Sequence, residues 1–600
     1  MNKKDIVPIA LLILLIPLWL YIDRTFIAPK FPAKVPVVQP KEQSETKAGD
    51  VAEEKGTASG VVAIEKTAEV KPEKPKPVVK KPAAPEQVAV LKNDQMRVEL
   101  SSWGGGIKRV TLSKYKLENT DDSPPVSLVF SNAPALMYRG LEGVGATDSL
   151  TIKELEKGRK VQLTTLLDNG MVFERTITLG TNYLLAVKDR FVAPDKPIVL
   201  PKHQIVTGYM KNPAGMKAMR GTNILGVDSY TPKGEVNYWG RKLDKYLYGK
   251  GDSKPLSIEA VPAEMVGVKV AWVSAKNKFF TQVLRPSKPI ATMAVLASRD
   301  PKEEAVVTVD VAALLQFDAQ TIEPNTTYEM DYTYYVGPKK YALLKAAGYK
   351  MEKVMEFETI GWWSWMNGLM EPVRKALLWT LNFFHSFLGN YGVAIILLTV
   401  LVRILFWPLT HKSTEKMAIH AEQMKAVQPQ IKALNERYKN DKRRLQQETM
   451  NLYKKEGVNP MGAMGGCLPM FVQIPVFFAL YSVLRNAIEL RFAGFLWIHD
   501  LSVPENLFAG HIPVIGSLNI LPIFMSLSMI FQQKLTPQMA TTPEQQQQQK
   551  MMMYMMPVMM LFFFYSMPSG LVLYWTTSNL LAILQTVLRN RKKKQQAAHA

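Results

Sequence analysis

The stretch VAIILLTVLVRILFWPL, residues 393–409, is apolar at every position except Thr399 and Arg403. With its flanks it is long enough to cross a hydrocarbon core of about 30 Å as a helix rising ~1.5 Å per residue. Arg403 is the anomaly. A guanidinium does not shed its proton to escape an apolar medium, and on insertion scales it costs about 2.5–3.5 kcal/mol at mid-bilayer. An ionisable residue inside a span is a functional-site candidate by default. Two readings stand for it. It lies about six residues, or roughly 9 Å, from the inner end of the span, so a long side chain reaches the headgroups by snorkelling. Alternatively it lines a wet cavity together with other polar residues.

Four further apolar regions accompany this one. An N-terminal run, Ile6–Ile22, follows Lys3 and Lys4. A cleaved signal peptide is one reading, but no small-residue cleavage site follows, and an uncleaved anchor over 1–27 fits better. The others cover about 464–484, 513–532 and 551–588. Thirty-eight residues exceed one span of about 20, and Met567-Pro-Ser-Gly570 is a turn signal, so the last region divides in two. Six transmembrane helices result, an N-terminal anchor plus a five-helix core, with both termini inside. The basic stretch 411–460 and the tail Arg589-Asn-Arg-Lys-Lys-Lys594 then fall in the cytoplasm, as the positive-inside bias requires. Residues 23–389 fall outside it.

The bulk numbers agree. The chain has 600 residues and a net charge of +22, with its basic residues spread between apolar runs and no nucleic-acid motif. A single cysteine, Cys467, excludes an intrachain disulfide and a cysteine-cluster metal site, and the seven histidines form no HExxH spacing. No Walker A loop, no acidic pair within a span and no inverted repeat is present, so ATP hydrolysis by that route, proton-coupled transport and small-molecule transport find no support. No cofactor or metal is expected.

Outside the spans the texture changes three times. Residues 28–92, with KPEKPKPVVKKPAAPEQ at their extreme, lack the apolar content for a core and read as a linker. Over 93–338 period-two alternation dominates: Phe173, Arg175, Ile177 and Leu179 share one face of a strand, and Tyr328, Met330, Tyr332 and Tyr334 share one face of another. This is an all-β sandwich of about 245 residues, whose aromatics read as core or as a sugar-binding face. Residues 339–389 connect it to the core. Within them GWWSWMNGLMEPVRKALLWTLNFFHSFL carries Trp362, Trp363, Trp365, Met366, Leu369, Leu377 and Leu378 on an apolar side and Glu371, Arg374 and Lys375 on a polar side, as a helix at a membrane interface does.

After the span at 390–410, residues Met417, Met424, Val427, Ile431, Leu434 and Tyr438 recur at coiled-coil spacing. Asn440-Asp441 interrupts them, and Leu445, Thr449, Leu452 and Tyr453 line a second helix beginning near Lys442. The segment 411–460 is thus a helical hairpin. Its basic excess suits either a solvated arm or a docking site for ribosomal RNA, anionic lipid or a targeting receptor. The remaining spans occupy 461–588 and the tail 589–600. Their hydroxyls, Ser526, Ser528, Thr576, Thr577 and Ser578, can bond helix carbonyls. The amides of Gln473 and Asn579 need partners in lipid, and stand as interhelical ties or as companions of Arg403.

Together these residues resemble the YidC family of bacterial membrane protein insertases. The resemblance rests on GNYGVAIILLTVLVRILFWPLT, LYKKEGVNPMGAMGGCLPMFVQIPVFFALYSVL, FLWIHDLS and PSGLVLYWTTSNLL, and more loosely on WGGGIKRVTLSKY, AWVSAKNKFF and YYVGPKKY in the outer domain. It implies the Gram-negative form: an inner-membrane protein with a periplasmic β domain and a non-enzymatic role in inserting and folding nascent membrane proteins, alone or with the Sec translocon. It implies a hydrophilic substrate groove at Arg403, with Thr399, Gln473, Thr576 and Asn579 about it. The hairpin, with Met417, Met424, Asp441 and Lys442, matches the family's substrate-contact loop, and the tail resembles those implicated in ribosome contact. Lipids are expected partners; a small-molecule substrate is not. The loop 533–550, with its TTPEQQQQQK run, departs from the family pattern. The alternative is an assembly factor acting only after translocon insertion.

Overall fold

The computed structural model describes residues 61–62, 85–130, 134–211, 225–240, 257–299, 308–356, 367–458, 468–512, 516–535 and 543–599. The expected anchor at 1–27 and most of the expected linker lie outside the described residues. Two compact units are present, one over 56–357 with 486–489 and one over the remainder.

The first unit is built from antiparallel sheets. Nine strands run in the order Val236–Tyr238, Gly226–Tyr230, Trp272–Lys276, Phe280–Pro286, Thr327–Pro338, Leu184–Val192, Val172–Leu179, Lys160–Leu166 and Thr151–Glu156. A seven-stranded sheet is centred on Thr292–Arg299 and Thr308–Phe317, and a four-stranded one begins at Val88–Lys92. That last strand lies in the stretch expected to be linker. Ala89 and Leu91 are buried while Val88 and Lys92 are exposed, so the alternation that builds a sheet starts before the Pro/Lys-rich composition would suggest. After the last strand come the short helix α1, Tyr341–Ala347, and a 3-10 turn at Met351–Met355.

Period-two alternation sets the core. Phe173, Arg175, Ile177 and Leu179 are all buried, as are Met330, Tyr332 and Tyr334. These aromatics are therefore core and offer no sugar-binding face. Arg175 lies on the core face because its register partner is Asp189. Its Nε and Nη2 donate to the two carboxylate oxygens at 2.8 and 2.7 Å, Nη1 donates to the Gly105 and Leu136 carbonyls, and the Tyr138 hydroxyl donates to Asp189 Oδ2 at 2.7 Å. A second buried ion pair joins Lys276 Nζ to Asp228 at 2.7 Å and Glu356 at 2.6 Å.

The second unit is helical. Helix α2 covers Asn367–Leu388, α3 Tyr391–Arg437, α4 Lys442–Lys455, α5 Leu468–Asn486, α6 Ile520–Leu535, α7 Pro543–Tyr565 and α8 Ser569–His599. Three sequence expectations change here. The span at 390–410 and the first arm of the hairpin are one helix of 47 residues, α3, which passes through Pro408 and Pro429. At 408 the chain loses one helix hydrogen bond, while the Thr410 hydroxyl donates to the Phe406 carbonyl at 2.9 Å and keeps the turn closed. The glutamine run is likewise helical, because Pro543 suits a first turn and glutamine propagates helix well. Finally, Arg374 is not on a solvent face. It is 2% exposed, in the same stripe as Met370, Leu377 and Leu381 at steps of four, three and four. Leu378 is buried too, and the outward surface is instead Trp379, Phe383 and Phe387. The side chains at 362–369 lie outside the described ones.

Among the described residues, Tyr391–Pro408 and Ser569–Arg591 are long and apolar enough to cross a membrane, and Ile520–Leu535 and Lys550–Tyr565 are shorter apolar helices. The expected span at 513–532 starts late: residues Leu507–Ile512 and Gly516–Leu518 pair as strands, and α6 begins only after Asn519.

Two outcomes follow for the β unit. Asp189→Ala leaves Arg175 buried without its counter-ion and lowers stability by about 3–5 kcal/mol, as urea unfolding of the full chain will read. Burial pushes the Asp228 carboxyl up to about 6 despite Lys276 beside it. The folded state therefore holds a proton that the unfolded state releases between about pH 4 and 6, so this group's contribution to stability falls as pH rises through that window. Lys276 is charged in both states there and adds no slope. Asp228→Asn should gain stability relative to wild type as pH rises from about 4 to 6, which urea midpoints across that range will check.

Candidate functional site

The site is organised by α8. The segment 574–579 carries Tyr574, Trp575, Ser578 and Asn579, which between them engage α3, α5, α6 and α7. At about 100° per residue, 574 and 578 share one face and 575 and 579 another. Tyr574 accepts from Gln473 Nε2 of α5 at 2.7 Å. The Trp575 ring packs on Phe564 of α7, 5.3 Å between centroids. Ser578 receives Arg403 of α3. Asn579 Nδ2 donates to Ser528 Oγ of α6 at 3.3 Å, and Ser528 in turn donates to the Met525 carbonyl at 2.6 Å.

Arg403 reaches across to α8. Its Nε donates to Ser578 Oγ at 3.2 Å, and its Nη2 donates to Ser578 Oγ at 2.9 Å and to the Ser578 carbonyl at 2.7 Å. The side chain lies across the α3–α8 interface, half-buried. Among the described residues no carboxylate pairs with it, and Nη1 makes none of its hydrogen bonds. The arrangement holds a fixed cation with one edge of the guanidinium available to an incoming acceptor or to water.

The other expected groove residues divide. Gln473 and Asn579 tie helices together at the same level of α8 as Arg403. Thr399 and Thr576 are buried and donate to the carbonyls of Ile395 and Val572, each at 2.7 Å, which satisfies them within their own helices. Ser578, Tyr574 and Ser528 are the residues that sequence reasoning left out of the site. The signal was available: Tyr574 and Ser578 stand one turn apart on the polar segment YWTTSN.

In the hairpin, Asp441 is an N-cap, accepting from the Arg444 amide at 3.0 Å. Met424 is hairpin core, packed with Val427, Ile431 and Val458 against Leu452 and Tyr453. Contact between Met424 and another chain therefore requires the hairpin to open. The side chains of Met417 and Lys442 are outside the described ones. Among the described residues no three His, Cys, Asp or Glu side chains gather as a metal site would need.

The Arg403–Ser578 pair is measurable. A hydrogen bond to a charged group contributes about 1.5–3 kcal/mol, while the Ser578 carbonyl survives substitution. Ser578→Ala should thus cost about 1–2 kcal/mol in chemical denaturation in detergent. A double-mutant cycle with Arg403→Ala should be non-additive by a similar amount.

Comparison with known proteins places the chain. The family profile described as "60Kd inner membrane protein" matches residues 383–596, and the one described as "YidC periplasmic domain" matches residues 88–373. The membrane protein insertase YidC of Nitrobacter hamburgensis is 33% identical over 480 residues, which is 73% of this chain and 73% of that protein. That of Syntrophus aciditrophicus is 39% identical over 311 residues, 52% of this chain and 49% of its own length. A crystal structure of an active YidC insertase with its first transmembrane domain resolved aligns with 84% of this chain and 93% of its own, at 19% identity and a TM-score of 0.33. With its β unit under one profile and its helical unit under the other, the chain belongs to the YidC family of membrane protein insertases, whose task is the insertion of proteins and not a catalysed reaction.

Proposed function

We propose that this chain inserts integral membrane proteins into a bacterial inner membrane through a hydrophilic groove at Arg403, alone or with the Sec translocon. The observation that carries the reading is the tether of Arg403 to Ser578 with no carboxylate beside it among the described residues. An internal acid would neutralise the site. Without one, the charge is available to an acidic tail that must leave water to cross about 30 Å of hydrocarbon. The tail exchanges part of its hydration for the guanidinium and for water held near it, while the apolar span of the substrate moves out into lipid. Hydrophobic burial drives the transfer and no covalent bond is made.

The topology belongs to the same proposal. The N-terminal anchor and helices α3, α5, α6, α7 and α8 make six spans, with both termini in the cytoplasm and residues 23–389 in the periplasm. Its support is the helix directions: α3, α6 and α8 all begin, and α7 ends, at the loop 490–519, as Asn390, Ile520, Ser569 and Tyr565 bond into that loop. The basic hairpin and tail then share the opposite end, where the positive-inside bias puts them in the cytoplasm. There the hairpin receives nascent chains, and a ribosome or targeting receptor docks on its basic surface.

Reconstitution decides between insertion and later assembly. The purified chain in proteoliposomes should insert a single-span substrate with an acidic tail without any channel protein; activity only when a translocation channel is added would support the assembly-factor reading. Arg403→Ala should slow that insertion about tenfold, or roughly 1.4 kcal/mol, within the ~1 to ~4 kcal/mol of a charge pair at 4 Å between water-like and surface-like surroundings. Arg403→Lys should retain most of it. A wild-type rate in Arg403→Ala would refute charge attraction.

A further inference from the structure

The loop between α5 and α6 contains a turn whose residues contradict ordinary turn chemistry. Phe495 and Ile498 exchange backbone hydrogen bonds at 2.8 and 2.9 Å, which closes a two-residue hairpin over Leu496 and Trp497. The first central position has φ +53° and holds Leu496. Such positions favour glycine or asparagine, and a branched side chain there costs about 1–2 kcal/mol. Leucine does not recover that cost by burial, since it is 75% exposed, with Trp497 beside it at 43%.

Rigid flanks hold the turn open. Phe495 packs against Gly392 so closely that a Cβ there would overlap its ring. Asn390, which caps α3 by accepting from the Val393 amide, also donates to the Gly494 carbonyl at 3.1 Å. On the other side, the amides of Ser569 and Gly570 donate to the carbonyls of Val503 and Leu501, both at 2.9 Å. Ile498 and Leu501 are buried. The turn is thereby stapled to the first residues of the two helices that are long and apolar enough to cross a membrane, Tyr391–Pro408 and Ser569–Arg591. Whatever membrane those helices cross, its surface lies at the level of this turn. Tryptophan settles in that zone, its apolar ring among acyl chains and its N–H among headgroups.

We propose that Leu496 and Trp497 form a lipid anchor that dips into the membrane interface at the end where α3 and α8 begin. The occupant is lipid: the exposed pair is continuous with the start of both spans, and the burial of leucine and tryptophan in an apolar zone offsets the strain at Leu496. The anchor would fix the height of the α3–α8 pair, and with it the depth of Arg403. This inference rests on the spanning role of α3 and α8 in the proposed function.

The test uses the full-length chain with Cys467→Ser, reconstituted in phosphatidylethanolamine–phosphatidylglycerol liposomes. Spin labels are placed singly at Leu496→Cys, at Leu401→Cys in the span and at Asn440→Cys at the hairpin tip, and their accessibility to oxygen and to a water-soluble nickel chelate is compared. The label at 496 should favour oxygen over nickel several-fold more than that at 440, and less than that at 401. Accessibility like that at 440 would mean an aqueous loop, and shielding from both reagents would mean a protein contact; either overturns the anchor. If the label at 401 is itself open to nickel, the spanning reading fails and the anchor falls with it. Trp497→Cys, read in the same way, serves where Leu496→Cys does not fold.

Discussion

A guanidinium that cannot lose its proton must find acceptors wherever the chain puts it, and in the helical unit that demand fixes the geometry. Arg403 finds both acceptors on one residue, the hydroxyl and the carbonyl of Ser578. The bond binds α3 to α8 at a defined height and rotation. Once α8 is set, its neighbours follow. Tyr574 on the same face takes the Gln473 amide, and Trp575 and Asn579 on the adjacent face take Phe564 and Ser528. Each of these groups carries a desolvation cost where it is left unpaired, so each tie selects one helix rotation over others of similar hydrophobic burial.

The ends of the helices obey a different constraint, steric closeness. Gly392 admits the Phe495 ring, and Gly570 brings its amide to the Leu501 carbonyl. These contacts gather the starts of α3 and α8 into one level. Away from it, both helices continue beyond any bilayer. Of the 47 residues of α3, about 20 suffice to cross a hydrocarbon core, and the rest extend roughly 40 Å further at 1.5 Å per residue. The span that carries Arg403 and the first arm of the hairpin are therefore one lever. Any displacement of the hairpin bears directly on the helix that holds the cation, with Pro408 between them.

How much of this was legible follows from which forces act locally. Alternation along 172–179 and 327–338 gave the strands, because burial on one sheet face is a period-two property of the chain itself. The break at Asn440-Asp441 was readable for the same reason: Asp441 caps the next helix with its own side chain. Continuity through Pro408 was not, since proline argues against a helix and the compensating bond of Thr410 lies in three dimensions. Arg374 was misplaced because charge was weighed above periodicity, although its stripe with Met370 and Leu377 was present in the spacing. In the site, Arg403, Gln473 and Asn579 were singled out by the cost of burying them. Ser578 was passed over because a serine can satisfy itself on a helix carbonyl, and only the meeting of α3 with α8 shows that it serves Arg403.

Two arginines in the same chain show why Arg403 invites a functional reading and a merely buried arginine does not. Arg175 also lies in an apolar interior, yet it is closed: a bidentate carboxylate takes Nε and Nη2, two backbone carbonyls take Nη1, and Tyr138 completes the shell of Asp189. Nothing is left for a visitor, and its removal would register as lost stability. Arg403 is held on one side only, by neutral oxygens, with its charge uncompensated among the described residues. A fold selecting for stability alone would place an acid there or an apolar residue of similar size. Keeping a half-satisfied cation between two long helices is costly unless an acceptor arrives from elsewhere, and under the proposed function a substrate's acidic tail, with the water it carries, is that acceptor.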